Sequence, residues 1–83
     1  MKYTANVIVR LKDGVRDTQG SAIETVLKRS GIDENLKVGV GKFFTLELEC
    51  ENRQEAEEKL HKIAQEVLSN LVLETYEIVK IEA

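Results

Sequence analysis

Proline and tryptophan are absent from all 83 residues. Without proline, no stretch reads as a proline-rich linker or recognition tail. Cys50 is the only cysteine, which excludes an intramolecular disulfide and, with it, a stapled secreted scaffold. His61 is the only histidine. One Cys and one His leave no C-x-x-C or H-x-x-x-H spacing for a metal. With no clear serine nucleophile either, no catalytic triad can be assembled. No apolar run approaches the roughly 18 residues of a membrane span. The N-terminal MKYTANVIVRLKDG has neither a long apolar core nor a cleavage-site pattern, so no signal peptide and a cytoplasmic location are expected. A surplus of positive charge is missing too: 12 Lys and Arg face 15 Asp and Glu, for a net charge of −3. That balance argues against nucleic acid or an anionic membrane as the main partner.

What is present fits one small domain, residues 1–83. A chain this short buries only roughly 60–65% of the surface its unfolded state exposes, so its core is thin and self-association would help it. Tyr3, Ala5, Val7, Val9 and Leu11 alternate with Lys2, Thr4, Asn6, Ile8 and Arg10, the period-two pattern of a strand with one buried face. From about Thr18 to Ser30, Ala22, Ile23, Val26 and Leu27 fall on one side of a helix. Asp17 or Thr18 suits its N-cap, Lys28 and Arg29 its last turn, and Gly31 its left-handed close.

Leu36, Val38 and Val40 alternate again and predict a second strand, with Gly41-Lys42 as a turn or kink. Phe44, Leu46, Leu48 and Cys50 alternate with Thr45, Glu47, Glu49 and Glu51, a strand with one dry and one acidic face. Asn52 caps the next helix, with Glu55 placed to reach back as in a capping box. Ala56, Leu60, Ile63, Ala64, Val67 and Leu68 form its stripe, and Asn70 ends it. In the final run, Leu71 to Ile81, apolar residues occupy both parities, which predicts a strand buried on both faces, one cover coming from a partner chain. The order is βαββαβ. It predicts an α+β, ferredoxin-like fold: a four-stranded antiparallel sheet, two helices on one face, and the other face or the edges used in oligomerisation.

Motifs that invite a chemical reading fare poorly. Gly39–Lys42, GVGK, lacks the first glycine of a phosphate loop, has Phe43 in place of Ser or Thr, and precedes a strand. Gly14 and Gly20 do not make G-x-G-x-x-G, although a strand running into a helix N-terminus can attract an anion, with Arg16 adding charge. The plainer reading is a strand–helix joint. His61 reads as a solvated surface residue and Cys50, by parity, as a small buried hydrophobe. Asp33-Glu34-Asn35 lacks the spaced ligands of a calcium loop. The acidic face of Glu47, Glu49 and Glu51 reads as solvated, or as a complement to a basic partner surface.

One segment is more specific. LKDGVRDTQGSAIETVLKRSG resembles the N-terminal part of the PurS family, in which a strand is followed by K-x-G-V-x-D-P-Q-G and a helix ending in glycine. Lys12, Gly14, Val15, Asp17, Gln19 and Gly20 match that pattern. Val38, Gly41 and Lys42 resemble the family's V-R-x-G-K strand pair, and Asn70, Glu74, Tyr76 and Glu77 its C-terminal part. Thr18 and Leu71 stand where the family usually has proline, and Gly39 where it has arginine.

The resemblance implies a non-catalytic structural subunit of phosphoribosylformylglycinamidine (FGAM) synthase, with no active site in this chain. It implies partners: a second copy, as a dimer or dimer of dimers, and PurL-type synthetase and PurQ-type glutaminase subunits. The complex makes FGAM from formylglycinamide ribonucleotide, glutamine and ATP, and this chain would bridge the two other subunits and assist ammonia transfer. No cofactor is expected here; ATP and magnesium belong to the synthetase subunit. Lys12, Gly14, Arg16, Asp17, Gln19, Gly20, Gly41 and Lys42 are the implied partner-facing residues. A regulatory module of the ACT type shares the βαββαβ order and would bind a small molecule at a dimer interface. An RNA-binding module of RRM shape needs stacking aromatics, for which only Tyr3 and Phe43 are available beside an acidic face.

Overall fold

The computed structural model describes residues 1–83. Three strands and two helices follow one another as β1 (Lys2–Leu11), α1 (Thr18–Arg29), β2 (Gly41–Glu49), α2 (Arg53–Ile63) and β3 (Glu74–Glu82), with a π-helical turn, Ala64–Leu68, extending α2. The sheet is antiparallel, in the order β2-β1-β3. β1 is central, and its odd-numbered residues are the driest in the chain: Tyr3, Ala5, Val7 and Val9 are buried. Ile81 joins them, and α2 lays Ala56, Leu60 and Ala64 over them. Alanines at i and i+8 let the helix approach closely, while Leu60 between them fills the space and is fully buried. Cys50 is buried as its parity predicts.

The sheet has three strands, not the four the alternation predicts. Leu36, Val38 and Val40 do alternate in burial with Lys37 and Gly39, but residues 36–40 pair with no strand. The reason is geometric. β1 pairs with β2 as far as Arg10↔Gly41, so residues before Gly41 lie past the end of the ladder. Gly41 and Lys42 accordingly belong to β2 and are not a turn.

The last run differs as well. Leu71 and Leu73 belong to the turn before β3, and register shifts inside the strand: Asn6 faces Lys80, whereas Val7 faces Ile78. Val79 is the extra residue of a β-bulge. It switches parity, so Tyr76 and Ile78 before it and Ile81 after it face the same core. The two-faced pattern in the sequence is one face read through a bulge.

The helices do not share one face of the sheet. Only α2 packs on it; α1 has a single buried residue, Gly20. The molecule measures 52 × 25 × 14 Å with a radius of gyration of 16.5 Å, against roughly 12 Å for a compact chain of this length. A ten-residue strand spans roughly 34 Å and a twelve-residue helix roughly 18 Å. The long dimension therefore corresponds to sheet plus helix. Residues 12–40 form an arm beyond the end of the sheet.

Candidate functional site

The base of that arm gathers most of the singled-out residues. The chain leaves β1 through Gly14, whose φ of 85° suits glycine at little cost. Val15 N–H donates to the Lys12 carbonyl at 3.2 Å, and Lys12 N–H donates to the Leu73 carbonyl at 2.9 Å, tying this loop to the turn before β3.

Asp17 then does two things at once. As N-cap it accepts the Gly20 N–H on Oδ1 at 2.7 Å. Its Oδ2 accepts the Val40 N–H at 2.8 Å. One carboxylate thus joins the outgoing and returning limbs of the arm, and the anion at the helix N-terminus is the chain's own. The Gly20 N–H, followed by those of Val40 and Gln19, holds the Asp17 carboxyl below its ordinary value of 3.8, against a smaller opposing effect of desolvation. A lowered folded-state pKa means stability in place above 3.8 and lost as pH falls below it through the folded value. Asp17→Asn should therefore lower the urea midpoint near neutral pH. The gap to the native chain should narrow only as pH falls through the lowered folded-state value of Asp17, where the native chain loses the charge too. An equal gap on both sides of that value would contradict this account.

Gly20 is where the limbs touch. A Cβ built there would overlap the Val38 carbonyl oxygen and crowd the Asp17 carboxylate. At Gly41 a Cβ would lie 2.9 Å from the Val9 carbonyl oxygen. Gly39, by contrast, has open space around it, so the Cβ of the arginine that the resemblance leads one to expect there would meet nothing within 4 Å.

Two adjoining clefts flank this junction. One, of about 450 Å³, is lined by Lys12, Gly14, Asp17 and Gly41 among others. The second, of about 230 Å³, is lined by Asp17, Gln19, Gly41 and Lys42 among others. Arg10, Leu11 and Val40 border both. Gly20 lies beneath, against Val38, while Arg16 lines neither cleft and is exposed. Lys12, Arg16 and Lys42 have no carboxylate within salt-bridge distance. The clefts hold no nucleophile–base pair. They offer a shaped surface that carries the Lys12 and Lys42 ammonium groups.

The turn before β3 is the part that sequence patterns pass over. Asn70 N–H donates to Glu74 Oε1 at 2.8 Å, and Asn70 Oδ1 accepts the Val72 N–H at 3.0 Å. The Asn70 carbonyl accepts N–H groups from Leu73 and Glu74 at 3.0 and 2.7 Å. A polar residue before an apolar triplet was the available signal, since Asn commonly bonds the backbone two residues on. His61 is exposed but not free: Nδ1 lies 2.8 Å from Tyr76 Oη, with the rings edge-on. Gln65 Nε2 donates to the same hydroxyl at 3.0 Å. Asn52 caps α2 through the Glu55 N–H at 2.9 Å, while Glu55 reaches the Glu51 N–H, one residue earlier than a capping box requires.

Residues 4–82 match the PurS family, described as phosphoribosylformylglycinamidine (FGAM) synthase. The chain is 35% identical over 75 residues to the FGAM synthase subunit PurS of Archaeoglobus fulgidus, covering 90% of this chain and 94% of that protein. It is similar to the structure of Thermus thermophilus PurS, with a TM-score of 0.85, 36% identity and 100% and 98% of the two chains covered. It is also similar to a chain in a structure of PurLQS from Thermotoga maritima, with a TM-score of 0.84, 35% identity and 94% and 95% coverage.

Proposed function

The chain belongs to the PurS family of FGAM synthase subunits in purine biosynthesis, and from that premise we propose that it is a non-catalytic structural subunit bridging a PurL-type synthetase and a PurQ-type glutaminase. The observation that carries this is the near-complete match to a chain in the PurLQS structure. Consistent with it, the family-pattern residues gather at two open clefts that carry no catalytic pair.

In this reading ATP and magnesium act in the synthetase subunit, and ammonia released by the glutaminase is delivered there within the assembly. This chain's part is to hold the two in register, as a self-associated dimer. Lys12, Gln19 and Lys42, placed around the clefts, and Arg16 on the arm beside them are the side chains offered to the other subunits. The assembly works in the cytoplasm; no helix of the chain is long and apolar enough to cross a membrane.

The test is reconstitution. Purified chain is mixed with the synthetase and glutaminase subunits of the same genome, and FGAM formation is followed. Glutamine-dependent formation should fall to background when the chain is left out, while ammonia-dependent formation by the synthetase alone changes much less. Undiminished glutamine-dependent formation without the chain would sink the proposal. Heat on titrating an amino acid or nucleotide into the isolated chain would favour the ACT-type reading instead.

A further inference from the structure

The chain has three aspartates, at positions 13, 17 and 33. Two are held. Asp17 accepts the Gly20 and Val40 N–H groups, and Asp33 Oδ1 accepts the Asn35 N–H at 2.8 Å. Asp13 is exposed, and neither a hydrogen bond nor an ion pair holds its carboxylate. It is also the only aspartate or asparagine followed by glycine. Thr18 follows Asp17, Glu34 follows Asp33, and each asparagine is followed by Val, Leu or Arg.

The backbone at Asp13 is as free as its side chain. Lys12 to Val15 form a turn closed by one bond, from the Val15 N–H to the Lys12 carbonyl at 3.2 Å. Gly14, with φ of 85°, supplies the positive φ that the third residue of a type II turn requires. Its own N–H finds no acceptor within the chain. A glycine turn with a single closing bond opens locally at small cost. Asp13 and Gly14 both line the cleft of about 450 Å³.

We propose that Asp13-Gly14 is a site of spontaneous isomerisation to isoaspartate, and so a substrate for an isoaspartyl carboxyl methyltransferase. The Gly14 amide nitrogen attacks Cγ of the protonated Asp13 carboxyl, and glycine presents no side chain to obstruct it. The N–Cγ bond forms, one Cγ–O bond breaks, and the amide proton leaves with the hydroxyl as water. Water then reopens the five-membered succinimide. Breaking the new N–Cγ bond restores aspartate. Breaking the bond between the nitrogen and the Asp13 α-carbonyl leaves the chain running through Cβ and Cγ, with the α-carboxylate free. One water is lost and one gained, so mass is unchanged and no redox partner is needed. The methyltransferase moves a methyl group from S-adenosylmethionine to that α-carboxylate. The ester closes to the succinimide again with loss of methanol, which returns part of the chain to aspartate. The isomer lengthens the backbone by one methylene beside Lys12, whose N–H is tied to the Leu73 carbonyl at 2.9 Å. It therefore reshapes the rim of the cleft, a consequence outside the bridging role proposed above.

Ageing the full chain for weeks in warm neutral buffer tests it. Fresh and aged samples are then incubated with an isoaspartyl carboxyl methyltransferase and methyl-labelled S-adenosylmethionine. The aged chain should take up several-fold more label than the fresh one. Asp13→Glu keeps the charge but would have to close a less favoured six-membered ring, so its aged sample should take up no more label than fresh native chain. Its far-UV circular dichroism should be native, because Asp13 holds no partner. A second reading needs no variant. An endoproteinase that cuts before aspartate but not before isoaspartate should lose cleavage at Lys12–Asp13 on ageing and keep it before Asp17 and Asp33. Equal label in fresh and aged chain, ageing of Asp13→Glu like the native chain, or undiminished cleavage before Asp13 would each overturn the proposal. No other subunit takes part, so the bridging role stands or falls separately by reconstitution.

Discussion

Gly20→Ala is expected to destabilise the protein by about 1–3 kcal/mol, the usual cost of forcing a methyl group into filled space. The sign is not obvious beforehand. In an exposed helix the same change gains about 1 kcal/mol, because alanine is the better helix former. Here the new methyl would meet the Val38 carbonyl, part of a backbone that cannot rotate away. Residues 36–40 must shift, and the Val40 N–H then leaves the Asp17 carboxylate. The loss therefore exceeds the gain. In a domain of this size, 1 kcal/mol moves the melting temperature by roughly 4–8 °C. Thermal melts at fixed protein concentration would check it, since a dimer's melting point depends on concentration. An unchanged or raised melting temperature would refute the close-contact account of Gly20. The variant should also weaken glutamine-dependent activity in the reconstituted complex, because both clefts are built on this junction.

Leu60→Ala is expected to cost more, about 2–5 kcal/mol. Leu60 is fully buried, with only alanines, Ala56 and Ala64, four residues to either side of it. The total stability of an 83-residue domain is of order 4–12 kcal/mol, so this one substitution threatens the fold. Glu58→Ala on the same helix is the control. Glu58 is exposed, and its removal should change stability by no more than about 0.5 kcal/mol. Urea midpoints for the two variants should differ widely. Similar midpoints would mean that α2 is not seated on β1 as described.

Much of the fold was legible because its causes are local. The alternation of Tyr3 to Leu11, the cap at Asp17, the cap at Asn52 and the acidic face of β2 each act within a few residues, and each is found where the pattern puts it. The failures share a cause. Residues 36–40 have a strand's alternating burial but no neighbour, because periodicity records which way side chains face and not whether a ladder is available. The bulge at Val79 splits one apolar face between two parities. The π-helical turn rotates Val67 out of the stripe and leaves Leu68 half-buried. In α1 the stripe is real, but the chain supplies nothing to cover it.

The site was half legible. The residue pattern around Lys12 to Gly20 falls on the segment that borders the two clefts. What makes it a site is long-range: Asp17 to Val40, 23 positions apart, and Gly20 against Val38. Both involve backbone atoms, which no side-chain pattern reveals. Arg16, by contrast, stands apart from the clefts.

The strand order has a consequence for how the chain is made. β1 is made before the other elements of the sheet, yet it occupies the centre, and its second neighbour, β3, is made after both helices. The helix that covers it also comes late. Until α2 and β3 have been made, therefore, Val7 and Val9 have no cover and one edge of β1 has no partner. Closing the β1–β3 ladder joins residues more than 60 positions apart, such as Leu11 and Glu74, and such distant pairings make folding slow. The sheet can close only once β3 has been made, and the central strand is the segment most exposed to mispairing until then.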